Sequence, residues 1–238
     1  KKMRSGNATQ LNRQDSISLQ AAAFMQRVYG WMTLGLIVTG FSAFYIASSQ
    51  SAINFIFGSS MSILLIFAVQ LGIVFAIKPA MRSGGWQIGL LLFVVFSASL
   101  GVTVSSLLLR YTFTSVSQAF LVTAGAFGAM TIFAFVTKKD LSGWQNFLYV
   151  GLFGIIIAMI VNIFLQSSAL HFAISVIGVL VFAGLTAYDT QKMKEYAYSQ
   201  DTNNETGRRA SVMAALELYL DFINMFIFLT HLLGSSRD

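Results

Sequence analysis

The chain of 238 residues contains no cysteine. That excludes disulfides, thiolate metal sites and cysteine nucleophiles together. Histidine is almost as scarce: His171 and His231 are the only two, too few for an all-histidine zinc site. Charged residues make up 10% of the chain, and only nine of them are acidic. A soluble domain of this length needs a polar surface that so few charges cannot provide. What fills the chain instead is apolar: 56% of residues are hydrophobic and the mean hydropathy is +0.71. These are the proportions of a polypeptide that crosses a membrane repeatedly.

A spanning helix needs about 20 mostly apolar residues. Seven stretches qualify: Val28–Ala47, Ser60–Ile77, Trp86–Leu109, Val116–Val136, Trp144–Leu165, Ala169–Tyr188 and Ser211–Leu233. The second could begin near Ile53, because INFIF precedes the Gly58–Ser60 break. The runs are continuously apolar without alternation, which excludes a closed barrel and leaves an all-α integral membrane fold of seven helices. The lone proline, Pro79, is expected to end the second span. Residues 1–27 form a basic leader, with an interfacial helix over Ser16–Arg27 acting as a surface anchor. Residues 28–233 form one membrane domain, and 234–238 a short outer tail. The leader shows no short apolar core followed by a small-residue cleavage site, so the first span is expected to be an uncleaved anchor.

The fifteen Lys and Arg residues divide thirteen to two between the loops on the two sides. Arg110 and Arg237 stand alone on the poorer side. The positive-inside rule then puts the N-terminus in the cytoplasm and the C-terminus outside. The net charge of +6 is thereby explained without nucleic acid as a partner. Ser97, Gly101 and Ser105 in the third span, and Gly125 with Ala129 in the fourth, recur every four residues. Such spacing predicts close helix packing.

Carboxylates inside a bilayer cost about 2.5 kcal/mol or more each and mark functional sites. Asp189 in GLTAYDTQK falls at the end of the sixth span, and Asp221 in LYLDFINMF has about ten residues of the seventh span on each side. A helical hairpin turning near Glu205 would bring them to equal depth on the cytoplasmic side. Glu217, Asp221 and Asn224 share one face of the last helix, extended by Phe228 and His231, so that helix should face other helices rather than lipid. Asn162, Gln70 and Thr186 are further intramembrane polar groups expected in the same cavity.

Two touching carboxylates either share a proton or are neutralised by a cation, and their oxygens favour a hard ion such as calcium. The pair would thus be a pH-dependent cation site, with Arg82 or Lys78 as an ionic latch. Two simpler readings stand beside it. Asp189 could be a solvated residue where its helix leaves the membrane, and Glu217 could pair with Lys192, Lys194 or Arg208. His171 and His231 read as separate interfacial residues.

Enzyme signatures are missing. Tyr188–Asp189 matches half of the intramembrane aspartyl protease signature, but Asp221 follows Leu218-Tyr219-Leu220 instead of Gly-x-Gly, and the lone proline is followed by Ala80-Met81. There is no Gly-x-Ser-Gly, no nucleotide loop and no lysine in the last span. The protein is expected not to be an enzyme and to need no cofactor.

The segments VYGWMTLGLIVTGF, TKKDLSGW, VNIFL, GLTAYDTQKMK and LYLDFINMF resemble the Bax inhibitor family (transmembrane Bax inhibitor motif proteins) in its bacterial branch. The resemblance runs from about Gln20 to Gly234. It implies that the last of seven helices is central, that Asp189 and Asp221 are the family's aspartyl pair, and that Arg82 is the latch. The implied activity is a pH-sensitive calcium leak of the bacterial inner membrane, with calcium and protons as its ions. The competing expectation is a non-conducting protein that modulates a membrane protease or stress response. Three departures stand out: the long polar loop before the last span, the additional Glu217, and the lack of a Gly-Pro pair near Gly101.

Overall fold

The computed structural model describes residues 2–236, with side chains described from residue 16 onward. Residue 1, the side chains of the first half of the leader, and Arg237 with Asp238 in the tail lie outside the described residues. Seven α-helices follow in order: α1 Lys2–Ser48, α2 Gln50–Phe57, α3 Ser60–Arg110, α4 Phe113–Val136, α5 Gln145–Leu165, α6 Ser168–Ser199 and α7 Glu205–Leu233. A 3-10 turn, Ser142–Trp144, precedes α5.

Six of these helices are long and apolar enough to cross a membrane, and the 51-residue α3 makes two crossings. Unbroken, α3 would extend about 75 Å, more than twice a hydrocarbon core of about 30 Å. It breaks at Gly85, whose φ of 81° lies in the region open to glycine. The two limbs then lie side by side, because the Gln70 side chain donates to the Ser99 carbonyl at 2.8 Å. Pro79 does not end the second span as expected. A proline removes one helical hydrogen bond, which the apolar run around it absorbs, whereas reversing the chain needs the backbone conformation that Gly85 supplies.

Side-chain caps set several other boundaries. Thr112, Ser167 and Asn204 accept from backbone N–H groups in the first turns of α4, α6 and α7. Glu205 caps at long range: its Oε1 accepts from the Trp86 N–H at 3.0 Å and from Arg209 Nε at 3.1 Å. The start of α3's second limb is thereby held against the start of α7. Arg208 stacks over the Trp86 ring at 5.6 Å.

Helix α7 is the central element. Its apolar span is 72% buried, against 39% for α6 and less for the others, and it packs on α1, α3, α4 and α6. Tyr219, fully buried, shares a 2.6 Å hydrogen bond with the Thr39 hydroxyl of α1 and meets Phe93 of α3 edge-on. Phe222 stacks on Phe120 and Phe127 of α4. On α6, Gly178 leaves no room for a Cβ against the Phe228 ring. Gly101 similarly brings α3 against Ser42 of α1, as its spacing predicts. Gly125 and Ala129 do not pack this way; both are exposed on the outer face of α4.

The leader is more than a surface anchor. It continues α1 without a break, and Ala21 and Phe24 are buried, the latter against Tyr196 of α6 at 5.5 Å. Arg27 donates to the Thr202 carbonyl at 2.6 Å, and the Thr202 hydroxyl donates to the Gln20 carbonyl. The α6–α7 loop is thus strapped to α1. The amphipathic leader buries its apolar face on protein because α6 extends eleven residues beyond Tyr188 and offers a surface there.

Candidate functional site

Asp189 and Asp221 are 6% and 4% exposed, so neither is the solvated helix-end residue that the simpler reading of Asp189 required. Helix α6 runs to Ser199 and α7 starts at Glu205, so the hairpin turns close to its expected midpoint. The direct pair across this hairpin is Lys192 Nζ to Glu217 Oε2 at 3.1 Å. That pairing centres on nearly the same point of the loop as 189 and 221, and so fixes the two aspartates at a common depth. Asp221 lies within electrostatic reach of Asp189, Glu217 and Lys192.

No hydrogen bond joins the two aspartates among the described residues. Oδ1 of Asp189 and Oδ2 of Asp221 are both buried without a hydrogen-bond partner. A buried acceptor left without a hydrogen bond costs roughly 1–3 kcal/mol, and more when charged. Protons or a cation offset that cost. No three His, Asp or Glu side chains converge closely enough to hold a metal ion among the described residues.

The cation beside Asp189 is Lys192, 3.8 Å away on the same helix, rather than Arg82. Arg82 is exposed and makes no ion pair among the described residues. Lys78 makes none there either. Both lie on the first limb of α3, whereas Lys192 is one helical turn beyond Asp189 on α6. Glu217 takes the Lys192 partner that one simpler reading gave it.

The other polar candidates do not join the aspartates. Gln70, Asn162 and Asn224 line a separate cavity of ≈ 490 Å³ towards the Tyr111 end of the bundle, together with Thr103, His171 and His231. Asn162 Oδ1 accepts from Ser167 N–H at 3.0 Å, and Asn224 donates to the Leu220 carbonyl. Thr186 spends its hydroxyl on the Phe182 carbonyl of its own helix. The two histidines are not separate interfacial residues: their rings lie 4.7 Å apart. Nothing in the sequence pairs them, since 60 residues separate them and only the α6–α7 packing brings them together.

At the opposite end, a hollow of ≈ 190 Å³ is lined by Phe24, Lys192, Met193, Tyr196 and Glu217 among others. Asn224 borders the first cavity and Glu217 the second, each about one helical turn from Asp221. Asp221 lines neither. Along α7, Asp221 therefore lies between the stretches that border the two hollows, a position that can be called the neck.

A search among known proteins gives consistent matches. The family model described as "Inhibitor of apoptosis-promoting Bax1" matches residues 21–238. The "Inner membrane protein YbhL" of Escherichia coli strain K12 is 42% identical over 229 residues, covering 94% of this chain and 98% of the relative. An "Uncharacterized protein" of Deinococcus radiodurans is 42% identical over 92% of this chain and 93% of its own length. One of Borreliella burgdorferi is 39% identical over 90% and 93%.

Proposed function

The chain belongs to the Bax inhibitor family, and on that premise we propose that it is a pH-sensitive calcium leak gated by Asp189 and Asp221. The observation that carries this reading is the pair of buried carboxylates between two hollows along α7, each with an oxygen that accepts no hydrogen bond; Lys192 approaches only the Asp189 oxygen, at 3.8 Å. A protein that only needed tight packing would place apolar side chains there. With the acids ionised, a hard divalent cation finds oxygen ligands in the neck. With the acids protonated, the attraction for the ion is lost. Flux therefore depends on pH through the occupancy of a single neck.

The membrane proposed is the inner membrane named for the Escherichia coli relative. The N-terminus lies in the cytoplasm and the C-terminus outside, on the strength of the Lys and Arg distribution. The competing reading, a non-conducting modulator of a membrane protease, takes the leader and the polar segment from Lys192 to Arg209 as its working surfaces. One face of the leader is already occupied, with Ala21, Phe24 and Met25 buried and Arg27 tied to the α6–α7 loop, which favours the leak. The test is calcium efflux from loaded liposomes containing the purified protein, stepped across pH. Efflux above that of protein-free liposomes, varying with pH, is expected; efflux equal to theirs at every pH rejects the reading.

A further inference from the structure

The charge inventory of the neck contains one element that a two-aspartate gate does not use. Among the described residues, Lys192 is the one cation that acts on either aspartate. Its Nζ lies 3.1 Å from Glu217 and 3.8 Å from Asp189, and its side chain is 46% exposed. The other ionisable groups facing the cluster are Tyr149 from α5 and Tyr188 from α6. Helix α1 contributes the Phe24 ring.

Counting the cluster as ionised, three carboxylates and one ammonium leave two negative charges. That equals the charge of one divalent cation or two protons. Without Lys192 the cluster would carry three. A lysine ammonium is a compact point charge on a flexible stem, so it can stand in a cation position and also leave it. Its tighter contact is with Glu217 and its looser one with Asp189, so the stem can swing away from the aspartate without losing its partner.

We propose that Lys192 is a specificity-determining residue, a tethered counter-ion that must withdraw onto Glu217 before a divalent ion can reach Asp189 and Asp221. The inference rests on the reading of the aspartates as an ion site. It accounts for the presence of Glu217, a third acid that a two-aspartate site does not require. Glu217 is the parking position for the displaced ammonium.

The test is calcium binding by the full chain in lipid nanodiscs, read by displacement of terbium, whose luminescence Tyr149 and Tyr188 can sensitise. K192M is expected to bind calcium about tenfold more tightly or better, as removal of a repelling unit charge from a partly desolvated site requires. E217Q is expected to bind more weakly, because Lys192 is then left to the aspartates. K192R, which keeps the charge, should reverse the gain seen in K192M. A purely structural ion pair predicts instead that K192M and E217Q move in the same direction. The inference is overturned if they do so, if K192M binds no more tightly than wild type, or if none of the proteins binds calcium.

Calcium efflux from liposomes, measured on the same preparations, separates this inference from the leak itself. Efflux with no K192M effect on binding keeps the leak and rejects the role of Lys192. Tighter binding by K192M without efflux keeps the counter-ion and rejects the leak.

Discussion

At the scale of single residues, hydrogen bonding distinguishes the buried polar groups that hold α7 in place from those left without a hydrogen-bond partner. Tyr219 belongs to the first kind. Its hydroxyl pairs with Thr39, whose single proton has the Gly35 carbonyl of α1 and the Ser97 carbonyl of α3 within reach, and its ring is fully enclosed. Tyr219→Phe removes one buried hydrogen bond and keeps the ring. It is expected to cost about 1 kcal/mol, read as a lowered thermal midpoint in detergent. An unchanged midpoint would show that the bond contributes nothing net. Asp189 and Asp221 are of the second kind, each with a buried oxygen that accepts no hydrogen bond.

The aspartates were legible from sequence because a carboxylate in an apolar run is conspicuous whatever surrounds it. Lys192 was harder to assign, since the same run offered Lys194 and Arg208 as equal partners for Glu217. Only the rotation of α6 against α7 selects among them. Lys194 turns away and donates to the Phe135 carbonyl instead. The His171–His231 contact was invisible for the same reason: hydropathy fixes the length of a helix, not its azimuth.

At the scale of elements, the spans follow from apolar runs and the turns from local chemistry. The second and third spans show where local signals mislead. Proline attracts attention as a breaker, but Pro79 lies inside a helix that continues to Gly84, and Gly85 makes the reversal. A Cβ at Gly85 would meet Gln87 Oε1 at 2.8 Å and Glu205 Oε1 at 3.1 Å, and would also occupy a backbone region costly for other residues. Gly85→Ala is therefore expected to destabilise the fold by about 1–3 kcal/mol and to loosen the Glu205–Trp86 cap. Hydrogen exchange at the Trp86 amide should quicken. If exchange and thermal midpoint both match wild type, the break does not depend on glycine.

The long polar loop before α7 is accounted for at this scale. It carries the cap for α3 and the strap for α1, through Glu205 and Thr202. Contacts between residues 119 and 175 positions apart leave no local trace, so the sequence showed only that the loop is long and polar.

For the whole molecule, the centrality of α7 was predictable from its polar stripe, which had to avoid lipid. The stripe does face inward, but it serves two compartments: Glu217 borders the hollow at one end and Asn224 the cavity at the other. The proposed orientation rests on charge alone. Because the chain has no cysteine, single-cysteine variants give an uncluttered assay. In intact cells a membrane-impermeant maleimide is expected to label S168C, at the Tyr111 end, and to spare N203C, in the α6–α7 loop. The reverse pattern would invert the proposed topology.

The central claim is that the acids at the neck control passage. Calcium efflux from loaded liposomes, titrated across pH for wild type, D189N and D221N, tests it most directly. The account predicts pH-dependent efflux in wild type, and loss of that dependence in D221N and in D189N. Efflux that keeps its full pH response in both variants would contradict it.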